Sequence, residues 1–365
     1  MTSNERGTTA TSPERSDRPP APRVGVLGLG VLGRAVATGV ATHPDLRLVA
    51  AADIDSELHG EALDLEGIDQ TLPEVTASLP LEELDVVAVH TASWVDDVAP
   101  TIIEILSAGC SVITAAEELT YPWHSHPEWS ERLDSAAREG NAALLGVGAN
   151  PGLLMDTLPT VLSLATQGVR SVRATRTIDL RVHGPARLRR FGLGMTREQF
   201  EQTDPSILHG HVGFRQSIDA LGDALGWRIV NLAQHPVRIE VVGEETRRGP
   251  RAELPPGAVA VVGQRAEASF EGGFEIELSE YFGFVEDGDA VPRGDTWTME
   301  CVEQTIELVA SAGVHSFSTT PATVVNMIQP LVGSAPGLRT IGEFPVRDLA
   351  SKGGAKASNI QETTL

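Results

Sequence analysis

The chain has 365 residues, 41% of them hydrophobic, and its 50 acidic against 28 basic residues give a formal net charge of −22. This length predicts two domains, each with its own core. The negative charge repels phosphate backbones and anionic lipid, and no run of about 18 apolar residues is present, so we expect neither nucleic acid nor a membrane as a partner. Two isolated cysteines, Cys110 and Cys301, and an N-terminus without a secretory pattern favour a cytoplasmic protein with no disulfide framework or thiolate metal site.

Short apolar runs alternate with helix-length amphipathic segments between residues 23 and 150. Strands are expected in "RVGVLGLG", "LRLVAAADI", "DVVAVHTAS", "SVITA" and "NAALLGVGA", and helices in "VLGRAVATGVATH" and "VAPTIIEILSAG". This alternation predicts an α/β domain at 23–150 with a doubly wound parallel sheet of the Rossmann type. The Ser-, Thr- and Pro-rich residues 1–22 have almost nothing to bury and are predicted to be a disordered leader, and residues 351–365 a flexible tail.

The pattern changes after residue 150. A helix is expected in "LLMDTLPTVLSLATQG", followed by strands with one solvated face in "VRSVRATRTIDLRV", "VRIEVVGEE", "AVAVVGQRAEASF" and "FEIELSEYFGF". These segments predict an α+β domain at 151–315 with a mixed or antiparallel sheet. The apolar segment "TTPATVVNMIQPLV" predicts a C-terminal helix, within 316–346, that packs back on the first domain.

The first strand runs into a glycine motif. "GLGVLG" places Gly28, Gly30 and Gly33, with Val31 and Leu32 between them, in the G-x-G-x-x-G spacing. A tight turn alone would explain such a triplet, but a strand precedes it, a helix follows, and Asp53 ends the next strand, as in folds that bind a dinucleotide. The following "IDSELHGEALD" has no Arg or Lys to neutralise a 2′-phosphate, which favours NAD(H) over NADP(H).

Three further strand ends are expected to line the cofactor cleft, because ligands of doubly wound sheets lie at the carboxyl ends of the strands. The first is His90, Thr91, Ala92 and Ser93, where the histidine is either a polar strand end or an acid/base group. The second is Asn150, Pro151 and Gly152, which suit a turn and equally suit contacts with a carboxamide. The third is the segment "TAAEE" that ends at Glu118.

The two adjacent glutamates have two interpretations. Thr114-x-x-Glu117 fits a capping box, in which Glu117 only returns a hydrogen bond to the backbone. Alternatively, a carboxylate beside the nicotinamide would bind a substrate ammonium and act as a general base, helped by Tyr121 and Trp123, which would lower the local dielectric constant. His124 and His126 have no third ligand at metal-site spacing and are expected to be solvated, so no metal is predicted.

The motifs "GLGVLG", "VITAAEELTYPW", "GVGANPGLLMDTLP", "GHVGFRQSIDALGDALGW" and "PGLRTIGEFPV" together resemble those of the dihydrodipicolinate reductase-like dehydrogenases, closest to 2,4-diaminopentanoate dehydrogenase and the native amine dehydrogenases. The resemblance implies reversible oxidative deamination of a small amine to an imine or ketone and ammonia. It assigns the acid/base role to Glu117 first and Glu118 second, and it implies a homodimer. It places Arg190, His211 and Arg215 at the substrate, beside Tyr121 and Trp123.

Two departures bear on the substrate. Phe317 in "AGVHSFSTT" stands where family members carry an Asp, so a second cationic substrate group would lose a partner. The basic segment "RVHGPARLRRFGLG" suggests either a substrate carboxylate or a solvated loop. Two other functions remain open on this fold: reduction of a cyclic imine or semialdehyde without ammonia exchange, and NADH sensing without catalysis.

Overall fold

A computed structural model describes residues 20–208 and 210–345 of the chain. The predictions of a disordered leader at 1–22 and a flexible tail at 351–365 fall outside these residues, apart from residues 20–22.

The first sheet has seven strands, all parallel, in the spatial order β16, β6, β5, β4, β1, β2, β3. Their bounds are β1 Arg23–Leu27, β2 Arg47–Ala52, β3 Val75–Thr76, β4 Val86–Val89, β5 Ser111–Thr114, β6 Ala143–Gly146 and β16 Gly337–Arg339. The residues of β4, β5 and β6 are all buried, as expected where helices cover both faces. This sheet, together with the second one described below, confirms the predicted fold class.

Helices cover both faces of this sheet. They are α1 Val31–Thr42, α2 Val95–Ser107, α3 Pro127–Glu139 and α8 Ser316–Val332. On one face α1 and α8 pack together and share a buried cluster with the strands, which includes Val324 and Ile328 of α8 and Val36 of α1. On the other face α2 and α3 form a second cluster, with Ile102 and Leu133 fully buried.

Three elements of this layer have no counterpart among the predicted segments: β3, β16 and α3. The strands β3 and β16 have only two and three residues and exist because β2 and β6 offer them a free edge. Helix α3 is largely polar in sequence, with only Ser130, Leu133, Ala136 and Ala137 buried. The first strand also ends sooner than expected, at Leu27, because Gly28 turns the chain with a φ of 89°.

The second sheet is mixed. Six strands follow in the order β15, β14, β7, β13, β12, β8, and β9 also pairs with β12; β7 and β13 are parallel and the other pairs antiparallel. The strands are β7 Val169–Asp179, β8 Ile229–Gln234, β9 Arg238–Val242, β12 Val259–Phe270, β13 Glu275–Gly283, β14 Asp295–Cys301 and β15 Thr305–Ala310, and β10 Arg247–Arg248 pairs with β11 Glu253–Leu254 as a separate ribbon. The helices of this half are α4 Thr157–Leu162, α5 Pro185–Arg190, α6 Arg197–Gln202 and α7 Phe214–Ala224.

Helix α7 lies on this sheet and joins it to the loop that follows β6. Phe214, Ile218 and Leu221 are fully buried in one cluster with Leu278 of β13, and burying each such side chain stabilises the fold by about 1.5–3 kcal/mol. The helix expected from residue 153 begins only at Thr157, because the carboxylate of Asp156 holds the preceding turn: it accepts hydrogen bonds from the Gly152 N–H at 2.7 Å and the Ser217 hydroxyl at 2.8 Å.

Candidate active site

The glycine turn between β1 and α1 has the shape that a pyrophosphate needs. A Cβ on Gly28 would lie 2.7 Å from the His90 carbonyl oxygen, and one on Gly33 would lie 1.8 Å from the Gly28 carbonyl oxygen, so both positions exclude a side chain. A Cβ on Gly30 would meet nothing within 4 Å, which leaves open space for a close backbone approach. Val31, at the start of α1, is exposed, and Leu32 packs on the core. Helix α1 has neither a side-chain cap nor an acidic residue in its first turn, so its N–H groups suit a phosphate.

Asp53 follows β2 beside this turn. Its carboxylate accepts hydrogen bonds from the backbone N–H of Leu29 at 2.5 Å and of Asp55 at 2.9 Å. Burial favours the neutral acid, but these hydrogen bonds, with the charge of Arg34, outweigh burial and lower the pKa of Asp53. The group is therefore an ionised acceptor at the place where a dinucleotide fold binds ribose hydroxyls.

His90 directly follows β4 and touches the same turn. Within the described residues neither of its ring nitrogens has a hydrogen-bond partner, although both are buried. Burial lowers the pKa of His90 to about 4, so the ring is neutral near pH 7 and offers one donor and one acceptor. Buried polar atoms without partners are rare in folded proteins, and here they fit the hydroxyl or amide groups of a dinucleotide. The next residues are an exposed Thr91, an Ala92 packed on the second cluster, and Ser93, whose carbonyl accepts from the Glu118 N–H at 3.4 Å.

The adjacent glutamates have different environments. Glu118 is engaged at both oxygens: Oε2 accepts from the Val95 N–H at 2.8 Å, at the first turn of α2, and Oε1 lies 3.2 Å from Nε2 of His126. Glu117 lies directly beside it, partly exposed, and its carboxylate makes no hydrogen bond or ion pair with any described residue. The carboxylate of Glu118 therefore anchors α2, and the carboxylate of Glu117 is free to bind a ligand.

The capping box that the sequence allowed is not formed. The Thr114 hydroxyl donates to the Val89 carbonyl at 2.9 Å and accepts from the Ala116 N–H at 3.1 Å. The short 3₁₀ turn Glu117–Leu119 begins with no side-chain cap. Glu117 is therefore not a capping residue.

Replacing Glu118 by Ala is expected to lower the free energy of unfolding by about 1–2 kcal/mol, because the first turn of α2 loses its acceptor. Urea unfolding of both proteins measures this. Glu117→Ala is the matched control and should unfold close to the parent, since no described residue depends on its carboxylate. Equal losses in the two variants would contradict the division of roles.

The loop after β6 connects the cofactor cleft with the second sheet. Its Asn150–Pro151 bond is cis, and the Ala149 N–H donates to the Thr320 hydroxyl of α8 at 3.1 Å. The amide of Asn150 donates to Glu280 of β13 at 2.8 Å and lies 3.2 Å from Nε2 of His211. The buried carbonyl oxygen of Asn150 has no partner in the described part of the chain, so it can accept a hydrogen bond from a ligand.

Behind Asn150 lies a buried charged network that the sequence analysis did not identify. Glu280 also lies 3.2 Å from Nδ1 of His211 and 3.5 Å from the guanidinium of Arg176, which in turn pairs with Asp295 at 3.2 Å. Arg176, Glu280 and Asp295 are at most 1% exposed. The structure thus brings the predicted residues Asn150 and His211 together, and both contact Glu280, which is held by Arg176.

The other residues predicted at the substrate have their own partners or lie apart. Tyr121 donates its hydroxyl to Asp223 at 2.7 Å, and burial, followed by this hydrogen bond, raises its pKa. Trp123 lies 5.0 Å from the Tyr121 ring and packs on the second core cluster. Arg215 pairs with Asp219 at 2.6 Å along α7, and Arg190 is exposed at the end of α5. None of the four hydrogen-bonds to Asn150 or His211, and their contact with substrate stays a prediction.

A cavity of about 390 Å³ lies between α7 and the carboxyl ends of β5, β6 and β16. Tyr121, Gly152, Asp156, Asp223 and Glu343 are part of its lining, but Glu117, His90 and Asn150 are not. The cavity is therefore adjacent to the predicted active-site residues Glu117, His90 and Asn150 and not centred on them.

The residues of the described ranges contain no group of three or more His, Cys, Asp and Glu side chains placed to hold a metal ion. In the same part of the chain no helix combines the length and apolar character of a membrane span. His124 pairs with Asp223 at 2.8 Å and His126 with Glu118. The His124 side chain is 46% exposed, in line with the predicted solvated histidine, and that of His126 is 25% exposed.

Residues 153–359 match the family model of the 2,4-diaminopentanoate dehydrogenase C-terminal domain. The chain is also 31% identical, over 72% of its length and 74% of the relative's, to 2,4-diaminopentanoate dehydrogenase of Acetoanaerobium sticklandii. It belongs to the 2,4-diaminopentanoate dehydrogenase family. The resemblance that the motifs indicated is confirmed.

Two further proteins are similar to this chain. An amine dehydrogenase of Streptomyces virginiae is 27% identical over 47% of this chain and 49% of its own. The amine dehydrogenase structure from Mycobacterium smegmatis superposes with a TM-score of 0.75 at 22% identity, covering 89% of this chain and 96% of that one, which shows that the two share a fold. As a member of this family, the protein is an oxidoreductase.

Proposed function

We propose that this protein is an NAD-dependent amine dehydrogenase, which interconverts a small amine with the imine or ketone and ammonia in both directions. The observation that carries the proposal is the free carboxylate of Glu117 at the carboxyl end of β5, while the neighbouring Glu118 is engaged with α2 and His126. Two curated relatives, named for dehydrogenation of 2,4-diaminopentanoate and of amines, support the same chemistry.

Different residues would hold different parts of the cofactor. The turn of Gly28, Gly30 and Gly33 would hold the pyrophosphate and Asp53 the adenosine ribose, and His90 and Asn150 would use their unpartnered polar atoms at the nicotinamide end. The bound nicotinamide supplies hydride acceptance, the chemistry that no side chain can perform.

Glu117 handles the protons. Its carboxylate binds the substrate ammonium and removes one proton, so that the neutral amine can release hydride from the adjacent carbon and become an iminium ion. Glu117 then releases this first proton to solvent, and its carboxylate takes a proton from the water that attacks the iminium carbon. It passes this second proton to the nitrogen of the resulting carbinolamine. The C–N bond breaks, ammonia leaves, and the hydroxyl group becomes the ketone as its proton goes back to the carboxylate. In the reverse direction Glu117 protonates the nitrogen as hydride arrives.

The proposal is tested by mixing the purified protein with NAD⁺ and a panel of amines, and with NADH, ketones and ammonium. NADH formation from amines and ammonium-dependent NADH oxidation with ketones are the expected results. Reduction of cyclic imines or semialdehydes without any effect of ammonium would replace the proposal by the second candidate reaction. If the protein bound NADH but turned over none of these compounds, the remaining function would be NADH sensing without catalysis.

NAD(H) is proposed as the cofactor in preference to NADP(H), because the carboxylate of Asp53 would repel a 2′-phosphate. Arg34 is the cation that acts on Asp53, and it is held by the carbonyl oxygens of Leu29 and Asp64. Asp53→Ala should lower kcat/KM for NAD⁺ by about 10- to 100-fold, the value of hydrogen bonds to a charged group, and lower it less for NADP⁺. Asp55→Ala is the control, because among the described residues the Asp55 carboxylate accepts only from the Glu57 N–H. An unchanged NAD⁺/NADP⁺ ratio in Asp53→Ala would remove Asp53 from the ribose site.

The proposal also covers the oligomeric state and the location of the protein. We propose a homodimer, on the family resemblance, and a cytoplasmic location, on the cysteine usage.

A further inference from the structure

The two ends of the Asn150 side-chain amide have different surroundings. Its Nδ2 lies 2.8 Å from Oε1 of Glu280, 3.2 Å from Nε2 of His211 and 3.2 Å from Sδ of Met155, so both amide hydrogens have acceptors. Its Oδ1 is buried and has no partner among the described residues, although the residue as a whole is partly exposed. Because a buried acceptor without a donor is rare and costly, Oδ1 marks a place for a donor from a ligand.

Glu280 determines which end of the amide is left for a ligand. A carboxylate accepts hydrogen bonds and cannot donate them, so Asn150 turns its NH₂ group, and not its oxygen, towards Glu280. The Glu280 side chain is 2% exposed and pairs with the guanidinium of Arg176 at 3.5 Å, which fixes it in this place. A reversed Asn150 amide would bring two oxygens together where water is excluded.

His211 is held as a second acceptor by the same carboxylate. Its Nδ1 lies 3.2 Å from Oε2 of Glu280, and since a carboxylate only accepts, Nδ1 carries the hydrogen. Nε2 of the neutral ring then has a free lone pair, which accepts from the Asn150 amide. The backbone N–H of His211 donates to the Gln264 side chain at 2.6 Å, and the ring lies edge-on to Phe214 at 4.6 Å, so its position is fixed.

Asn150 and Glu117 follow the ends of two paired strands. The Val147 N–H, directly after β6, donates to the carbonyl of Thr114, the last residue of β5, at 2.9 Å. Asn150 and Glu117 each come three positions after one of these two residues. A nicotinamide that reacts beside Glu117 is therefore expected beside Asn150 as well, because cofactors lie along the carboxyl ends of such strands. The hydrogen-bond donor of a nicotinamide ring is the NH₂ group of its carboxamide.

We infer that Glu280 and His211 are positioning residues, which orient the Asn150 amide so that it offers only an acceptor and binds the NH₂ group of the nicotinamide carboxamide. This inference rests on the proposed nicotinamide cofactor. Both residues act through Asn150. A cofactor analogue with a methyl group in place of that NH₂ group would leave the buried Oδ1 unpaired.

The test measures the binding of reduced cofactors that differ in this group. NADH and its thionicotinamide analogue keep the NH₂ group, whereas the 3-acetylpyridine analogue has a methyl group in its place. Isothermal titration of the parent should give similar dissociation constants for the first two, and one about 10-fold higher for the acetylpyridine analogue. In Asn150→Ala, which lacks the acceptor, the acetylpyridine-to-NADH ratio of dissociation constants should fall towards one.

Glu280→Gln tests the positioning role. The glutamine amide brings an N–H donor to a place where either Asn150 or Nδ1 of His211 donates now. The Asn150 oxygen is then drawn inwards and its NH₂ group turns to the cofactor. The ratio should fall to about one, because the carbonyl groups of both cofactors can accept from that NH₂ group.

Asp295→Asn is the matched control. Asp295 is fully buried and pairs with the same Arg176, but its hydrogen bonds go to Arg176 and to the backbone of Thr177 and Val314, not to Asn150. The parent ratio should therefore remain. His211→Leu removes one acceptor of the Asn150 amide and provides a second test if Glu280→Gln does not fold; its ratio should lie between those of the parent and Asn150→Ala.

Equal binding of NADH and the acetylpyridine analogue by the parent, or the parent ratio in Asn150→Ala, would overturn the inference. The parent ratio in both Glu280→Gln and His211→Leu, or an equal loss of the ratio in Asp295→Asn, would overturn the positioning role. No amine is present in these titrations, so a protein that oxidises no amine can still show the expected ratios. Amine oxidation by a protein that binds both cofactors equally would refute the inference and leave the proposed function standing.

Discussion

Replacing Glu117 by Gln is expected to slow amine oxidation by about 10²–10⁴-fold, the range that a general acid/base contributes. The amide keeps the size of the side chain but can neither take a proton from the substrate ammonium nor return it. Because no described residue uses the Glu117 carboxylate, the fold and the glycine turn should be unaffected. Single-turnover NADH formation with a saturating amine measures the chemical step, and NADH fluorescence titration measures cofactor binding.

Glu118→Gln is the matched control for this experiment. Its amide oxygen can still accept from the Val95 N–H, so α2 stays anchored and most of the activity should remain. If Glu118→Gln instead lost the larger part of kcat, with Glu117→Gln near the parent, the acid/base role would belong to Glu118. Unchanged rates in both variants would remove this carboxylate pair from the reaction.

The parallel sheet was accessible from sequence because its central strands are buried on both faces. β4 is a continuous apolar run and β1 and β5 are mostly apolar, and β1 and β4 are each followed by a helix with an apolar stripe. The two edge strands β3 and β16 carry no such signal, since partners that are distant in the chain create them. The correct fold class therefore came from the strands with the most local information.

The roles of Glu117 and Glu118 could not be predicted from local sequence patterns. The spacing of Thr114 and Glu117 satisfies the capping-box rule, yet Thr114 instead bonds to the Val89 carbonyl, on a different strand. Similarly, the partners of Glu118 lie on α2 and beside α3, more than twenty residues back and eight residues ahead. Periodicity contains no information on such partners, so sequence alone left the two roles open.

The buried network was missed for the same reason. Arg176, Glu280 and Asp295 come from three strands, with sequence separations of 104 and 119 residues between the arginine and its two partners. Arg176 and Glu280 occupy strands in which alternating charged residues indicate a solvated face. The one available signal was that polar residues occur on both faces of β7 and β13, which no rule of alternation explains.

Arg176→Met is expected to lower the free energy of unfolding by about 3–5 kcal/mol, the cost of breaking a buried ion pair by removing one partner. The guanidinium is 1% exposed and contacts Glu280, Asp295, the Val314 carbonyl at 2.9 Å and the Ser316 hydroxyl. Without it, two carboxylates remain in a site that excludes water. Denaturant unfolding, followed by fluorescence and circular dichroism, measures the loss.

Arg173→Met on the same strand separates this effect from a general loss of charge. Arg173 pairs with Glu277 at 3.6 Å, but the two side chains are 49% and 34% exposed, so its removal should cost no more than about 1 kcal/mol. Adding Glu280→Gln and Asp295→Asn to Arg176→Met should recover part of the stability, because neutral amides need no cation. Equal losses in the two arginine variants, or no recovery in the triple variant, would mean that Arg176 acts through packing alone. If Arg176→Met unfolded with the stability of the parent, the fold around Asn150 and His211 would not depend on Arg176.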